Sequence, residues 1–302
     1  MDGIILIDKP QGKTSHDIVA EARKILNIKK IGHFGTLDPL ATGVLILALG
    51  KATRLFPFFS REDKVYEGRL KLGCSTDTYD SEGKPTSPEK TEFPPREFLA
   101  EALKKFEGAI LQAPPSYSAK KHHGKPLYKL ARARKAVPIS PSQVHVHSFQ
   151  IKDYQPPFLD FEVRCSSGTY VRSLAHDLGQ ELSCGAHLTA LRRISSGSFR
   201  LKDARRMAEV RELSEAGDLE KCLIPMEILL PEFPKVILDE TGSRLASHGR
   251  AVSPEFFLKI ISTNPCLGEG QTLRFFSPAG RLLALARQKK PGEGFHPFVV
   301  LS

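Results

Sequence analysis

One carboxylate in this sequence is presented in an unusual setting. Asp38 lies near the end of the run Gly32-His33-Phe34-Gly35-Thr36-Leu37-Asp38-Pro39. Gly32 and Gly35 let a ligand approach the backbone closely, and Pro39 confines Asp38 to extended or turn conformations. A lone carboxylate held this way can act as a nucleophile or a base. The simpler reading of Leu37-Asp38-Pro39 in isolation is a turn with a capping aspartate. The glycine spacing fits neither a Walker loop nor a dinucleotide fingerprint, because the Gly-Lys-Ser/Thr or the third glycine is missing.

Three further clusters could serve such a carboxylate. Gly168-Thr169-Tyr170-Val171-Arg172 reads as a strand-to-helix junction, where free N–H groups and a guanidinium can hold an anion. By itself it is also an ordinary helix start with a surface arginine. Tyr66, in Lys64-Val65-Tyr66-Glu67-Gly68, is by pattern alone a strand aromatic. The third cluster is a basic stretch over 113–143 that opens with Pro114-Pro115-Ser116-Tyr117-Ser118-Ala119-Lys120-Lys121. No Asp or Glu occurs between Glu107 and Asp153, and the cations are interleaved with Tyr117 and Tyr128. That mixture can track a phosphate backbone while offering a stacking face, although many charge runs are only solvated surface. No metal site is expected. His122 and His123 are adjacent and point apart, and His145 with His147 lacks a third ligand.

The elements that must position these residues follow from periodicity. Gly3 to Asp8 is a strand-like apolar run, followed by the turn Lys9-Pro10-Gln11-Gly12. Thr14 or Ser15 can cap a helix whose Ile18, Val19, Ala22, Ile25 and Leu26 share a face. Val44 to Leu49 reads as a buried strand, and strands are also expected over 64–74, 144–155, 158–166 and 185–199. Helical patterns cover 95–106, 169–182 and 203–233, and 76–95 reads as a polar loop. After Pro231 and Pro234, short β-type segments separated by Gly/Pro turns predict a small all-β module. The expected class is α+β with a mixed or antiparallel sheet, divided into 1–233 and 234–302.

Composition narrows the partners. The chain has 302 residues, a net charge of +10 and a pI of about 9.4, a balance that attracts polyanions. Its N-terminus does not read as a signal peptide, and its longest apolar stretch is far short of the roughly 20 residues of a bilayer span. Cys74, Cys165, Cys184, Cys222 and Cys266 are scattered singly, as reduced thiols of a cytoplasmic protein are.

Taken in order, these segments resemble the TruB family of tRNA pseudouridine synthases. The resemblance rests on Asp8-Lys9-Pro10-Gln11-Gly12 with Thr14-Ser15, on Gly32 to Gly43, and on Leu72-Gly73 with Thr76-Asp77-Thr78 and Asp80. It continues through Pro115 to Lys121, Cys165 to Arg172 and Cys184 to Arg193, and spans roughly 3–200. It implies a pseudouridine synthase fold with a central cleft, and isomerisation of uridine 55 in the T-arm of tRNA. Asp38 falls on the family's catalytic aspartate, Arg172 on its carboxylate partner and Tyr66 on the tyrosine against the target base. His33, Tyr170 and Leu191 fall on substrate-contacting positions. Lys9 and Pro10 fall on a motif that supports the active-site loop, and with Lys120 they complete the expected substrate-binding set.

The resemblance also makes 113–143 an insertion that closes on RNA, and 234–302 a module of the PUA RNA-binding kind. Arg172 is expected to lower the Asp38 pKa, and Tyr66 to stack on the base and help remove its C5 proton. No cofactor, metal, guide RNA or protein partner is implied, and a monomer is expected. The route stays open between a covalent nucleophile and an elimination. Two rivals remain: a guide-RNA-dependent synthase, and an RNA-binding or RNA-folding module.

Overall fold

The computed structural model describes residues 1–118, 121–122, 125–126, 140–261, 270–288 and 293–302. Lys120 and most of the basic stretch therefore lie outside the described residues.

Strand β1 (Gly3–Lys9) leads into helix α1 (Ser15–Leu26). Thr14 caps this helix in a reciprocal box: its hydroxyl accepts from Asp17 N, and the Asp17 carboxylate accepts from Thr14 N. The chain continues through β2 (Ile31–Phe34) and the Asp38 loop into β3 (Thr42–Leu49). A 3-10 turn and the short helix α2 (Phe56–Phe59) then precede β4 (Lys64–Leu72). Helix α3 (Arg96–Lys104) and β5 (Gly108–Gln112) follow, then the two-residue strands β6 (Lys121–His122) and β7 (Lys125–Pro126). The hairpin β8 (Ser142–Gln155) and β9 (Phe158–Cys165) feeds helix α4 (Val171–Glu181), after which come β10 (Ala186–Ser196) and β11 (Phe199–Arg200).

Apart from β6 and β7, which pair with each other, these strands form a mixed sheet in the order β1-β3-β10-β4-β9-β8-β5, with β2 on β3 and β11 on β10. Alternation along β1 and β3 explains why both read as continuous apolar runs. Ile5, Ile7, Leu45, Leu47 and Leu49 enter the core on one face, whereas Ile4, Leu6, Val44, Ile46 and Ala48 enter a second core on the other. The neighbours β3 and β10 are parallel and meet only at Arg192↔Thr42 and Arg193↔Gly43. The approach there is close enough that a Cβ on Gly43, whose φ is +100°, would lie 2.3 Å from Arg193 O. Beyond that crossing the strands part, and the Asp38 loop enters at this point.

Helix α5 (Met207–Glu215) packs on α1, and the rest of 203–233 is turns and short 3-10 segments. The long helical pattern expected there is thus a single short helix, because Gly217, Pro225 and Pro231 break it.

A second sheet, β13-β12-β14-β15-β16, is built from β12 (Lys235–Leu238), β13 (Phe257–Ile261), β14 (Thr272–Phe276), β15 (Leu282–Gln288) and β16 (Phe295–Val300). The segment is not all-β. Helix α6 (Glu240–Ser247) starts at Asp239, whose carboxylate accepts from Gly242 N at 2.7 Å. The glycine run is not irregular throughout: its first residues belong to β2, drawn into the sheet by pairing His33↔Leu47.

Candidate active site

The Asp38 loop is held from beneath by buried polar groups. Ser15 Oγ accepts from Leu37 N at 2.8 Å and donates to Leu37 O at 3.1 Å. Gly12 N donates to Pro39 O, and Ala41 N to Asp38 O. Lys9 has no solvent-exposed surface, and its Nζ donates to Lys13 O at 2.6 Å, Pro10 O at 2.9 Å and Pro39 O at 3.5 Å. Burial lowers the Lys9 pKa to about 8, against the pull of Asp38 in the other direction. Lys9 therefore knots two loops together and presents nothing to the cleft. Pro10 contributes its carbonyl to the same knot.

Arg172, near the start of α4, is buried and reaches four partners. Its Nε lies 2.9 Å from Asp38 Oδ2, an ion-pair contact in which the N–H is not aimed well enough for a hydrogen bond. Nη1 donates to Thr78 O at 3.0 Å and Asp80 Oδ2 at 3.2 Å, and Nη2 donates to Tyr117 O at 2.9 Å. Asp80 is itself buried, and its Oδ1 accepts from the Thr78 hydroxyl at 2.6 Å and Glu82 N at 3.1 Å. One guanidinium thus bridges two carboxylates, with its remaining valences fixed by main chain.

A cavity of about 350 Å³ opens beside this bridge. Asp38, Tyr66, Tyr170, Arg172 and Leu191 all line it, brought together from the loop, β4, the start of α4 and β10. Tyr170 is set by Gln112, whose amide oxygen accepts from Tyr170 N at 2.7 Å and whose amide nitrogen donates to Tyr170 O at 3.1 Å. Leu191 and the Tyr66 ring supply apolar wall. His33 is not in this cavity. It lines two neighbouring ones, one of which also touches Asp38 and Arg172, and its Nδ1 has no hydrogen-bond partner among the described residues. Burial lowers the His33 pKa, which favours the neutral ring.

Electrostatics correct one expectation. Arg172 does pull the Asp38 pKa down, but desolvation pushes it up by more, and Asp80 adds to the upward push. The carboxyl is enclosed by protein on most sides yet keeps 40% of its side-chain surface open toward the cleft. The upward push grows when a ligand displaces that water. Burial also raises the Tyr66 pKa, so its phenol stays protonated at neutral pH and suits packing against a base better than taking a proton from it.

Three residues to which the sequence assigns no role complete the site. Arg193 is fully buried, donates to Val44 O at 2.8 Å and Gly35 O at 2.9 Å, and lines the cavity behind Tyr66. Lys64, its pKa lowered to about 8 by burial, donates to Ser60 O at 3.0 Å. Asp80 sits in what reads as a plain polar loop. The available signal was a charge in register with the inward-facing positions of its strand, Lys64 with Tyr66, Leu70 and Leu72, and Arg193 with Leu191. Among the described residues no group of three His, Cys, Asp or Glu side chains could hold a metal ion. His147 pairs instead with Asp63 at 2.9 Å. No helix among them is long and apolar enough to cross a membrane.

The family comparisons meet this geometry. The TruB family pseudouridylate synthase N-terminal domain matches residues 23–171, and the tRNA pseudouridylate synthase B C-terminal domain matches 172–231. A protein of Solibacter usitatus named tRNA pseudouridine synthase B is 43% identical over 302 residues, covering all of both chains. The chain belongs to the TruB family of pseudouridine synthases. A second TruB-family relative of the same name, from Syntrophotalea carbinolica, is 40% identical over 282 residues, 93% of this chain and 90% of the relative. Among solved structures, an H/ACA ribonucleoprotein bound to a substrate RNA containing 2′-deoxyuridine superposes with a TM-score of 0.73 at 26% identity, covering 99% of this chain and 85% of that one. The archaeal box H/ACA Nop10–Cbf5 complex gives 0.72 at 25%, covering 99% and 86%. The α+β pseudouridine synthase fold therefore holds over the TruB-family part, with the β12–β16 sheet joined to it.

Proposed function

We propose that this pseudouridine synthase acts on tRNA, converting uridine 55 of the T-arm, with Asp38 as the catalytic carboxylate. The observation that carries this reading is the convergence of Asp38, Arg172, Tyr66 and Leu191 on one cavity. The reaction breaks the C1′–N1 bond, turns the detached uracil, joins C5 to C1′ and moves the C5 proton to solvent while N1 gains one. Atoms and electrons balance within the nucleotide, so the stoichiometry calls for no cofactor.

Asp38 attacks or deprotonates the ribose as a carboxylate, and Arg172 fixes its direction. Tyr66 and Leu191 flank the base, and the apolar wall keeps water from the intermediate. A base in a folded arm must first be extruded, at a cost of a few kcal/mol. His33, Tyr170 and Lys120 are assigned to RNA contact, Lys9 and Pro10 to support of the loop. Residues 1–233 are assigned to catalysis and 234–302 to a PUA-like RNA contact. The enzyme is read as a guide-free monomer of the cytoplasm. Relatives of its own family that carry a tRNA synthase name and match at 40% identity or more support the guide-free reading. The solved structures of guide-RNA assemblies favour the rival.

Purified protein incubated alone with a tRNA transcript labelled with tritium at uridine C5 tests this directly. Wild type is expected to release tritium from position 55 without any guide. Asp38→Asn should bind the transcript and lose at least about 10³-fold in rate, because the neutral amide is neither nucleophile nor base. Turnover within tenfold of wild type would remove Asp38 from the mechanism. Release only after a guide RNA is added would favour the rival.

A further inference from the structure

Two rings are stacked outside the cavity that Asp38 lines. Tyr79 and His176 lie with centroids 3.9 Å apart and planes 17° from parallel, and neither lines any of the three cavities around Asp38. His176 is four residues after Arg172 on α4, so both project from one stripe of the helix. Tyr79 stands between Thr78 and Asp80, the two residues whose oxygens receive Arg172 Nη1. Its φ is +66°, a left-handed conformation that a side-chain-bearing residue seldom adopts. That reversal lets neighbouring oxygens on either side of Tyr79 face a single nitrogen. The turn is tied further by Leu188 N, which donates to Tyr79 O at 3.0 Å, and by Ser81 N, which donates to Leu188 O.

We propose that Tyr79 and His176 are positioning residues for catalysis, a stacked clasp that holds the Thr78–Asp80 turn against α4 and so fixes Arg172 on Asp38. The proposal rests on the reading of Asp38 as the catalytic carboxylate. Its logic is geometric. Arg172 emerges from the helix, its acceptors emerge from the turn, and the rings are the side-chain contact between the same two elements one helical turn further on. His176 Nδ1 is buried without a hydrogen-bond partner among the described residues, so at that nitrogen ring packing, not hydrogen bonding, holds the imidazole. Burial also lowers the His176 pKa and favours the neutral ring, which can lie flat on the phenol without carrying a second cation toward Arg172.

The clasp predicts that an aromatic face at both positions is what counts. His176→Ala should lower the single-turnover rate on a tRNA transcript by about 10–100-fold, the scale of a misplacement of roughly 1 Å at the reacting group. Its Kd for the transcript should stay within about twofold, since the clasp acts on Arg172 and makes no contact with RNA of its own. His176→Phe and Tyr79→Phe keep the stack and should stay within about threefold of wild type, whereas Tyr79→Leu should resemble His176→Ala. Because Arg172 is then held less firmly, the acid limb of the rate profile should move to higher pH in His176→Ala and return in His176→Phe.

Thermal melts of all four variants separate a loose fold from a loose site, since the proposal requires the rate loss at a temperature where each variant is fully folded. A wild-type rate in folded His176→Ala overturns the proposal, as does a rate in His176→Phe as low as in His176→Ala. Loss of tRNA affinity that matches the loss of rate overturns it too, by making the rings part of the RNA surface. Asp38→Asn runs beside these variants. If it turns over, the assignment of the carboxylate fails and takes the clasp with it; if it is inactive while His176→Ala is normal, only the clasp fails.

Discussion

At the scale of single residues, burial and Arg172 act on the Asp38 carboxyl with opposite sign, and burial is the stronger. A raised pKa means that the ionised form is lost at higher pH than for an ordinary aspartate. A rate that needs the carboxylate therefore falls on the acid side, with a midpoint above 3.8. Arg172→Met removes the largest downward influence and leaves the buried Asp80 carboxylate unpaired beside Asp38. Both changes disfavour a second negative charge, so the acid limb should move up by about one unit or more. Lys9→Met should move it less, because Lys9 is the weaker of the two cations acting on Asp38 and its ammonium is committed to carbonyls. Single-turnover rates measured across the acid range check this, and a limb in Arg172→Met that stays put or moves down would show that the guanidinium does not set the carboxyl's charge. Asp38 itself was legible because its surroundings are local: two glycines, a proline and a capped helix within one stretch. Asp80 stands out in the sequence only as part of a matching motif and shows no role there, because what gives it one is a guanidinium 92 residues along the chain.

At the scale of elements, the site depends on one crossing. Arg193 reaches the cavity because β10 runs against β3 with no side chain between them, and Gly43 makes that possible. Gly43→Ala combines a disfavoured φ of +100° with a Cβ 2.3 Å from a backbone oxygen that has no room to withdraw. It should cost about 2–4 kcal/mol of unfolding free energy, and catalysis should fall further than stability because Tyr66 and Arg193 shift together. Gly280→Ala is the control: its φ is +80°, but nothing lies within 4 Å of the new Cβ, so only about 1–2 kcal/mol of backbone strain is expected. Denaturant melts of both variants give the comparison, and equal losses would mean that the β3–β10 approach is not tight. Sequence periodicity displayed β1, β3 and α1 because each carries its own pattern and, for α1, its own cap. It missed β2 and α6: β2 has four residues and owes its strand form to pairing with β3, and α6 spans only about two turns. The chain also reads as two units split near residue 234, since Pro231 and Pro234 punctuate it there, and pattern alone says nothing about what crosses that line.

At the scale of the whole molecule, a great deal crosses it. Phe276, Leu282 and Leu285 from the second sheet, and Leu301 just after it, share one buried cluster with Ile4, Leu6, Val44 and Ile46 from the first. Arg274, buried in β14, donates to Leu229 O at 3.0 Å and Phe233 O at 2.9 Å, so the connecting segment is pinned to the sheet it leads into. The cluster on the outer face of β1 and β3 is thus completed jointly, by Ala52, Leu55, Phe59 and Phe199 from the first unit and by β14 and β15 from the second. A chain ending at residue 233 would uncover part of that cluster beside the strands that lead into the Asp38 loop, and each large side chain uncovered forfeits about 1.5–3 kcal/mol. Net stabilities of whole domains are only about 5–15 kcal/mol, so losing several such contacts is enough to unfold it. The expected behaviour is one cooperative calorimetric transition for the full chain, and a 1–233 fragment that aggregates or binds hydrophobic dye instead of melting. Two separated transitions, or a fragment that melts near the full-length midpoint, would show that the sheets fold independently and that the shared cluster contributes little. With the sheets fused, RNA contacts made by 234–302 would be held at a fixed distance from Asp38, which turns binding energy spent there into orientation at the ribose.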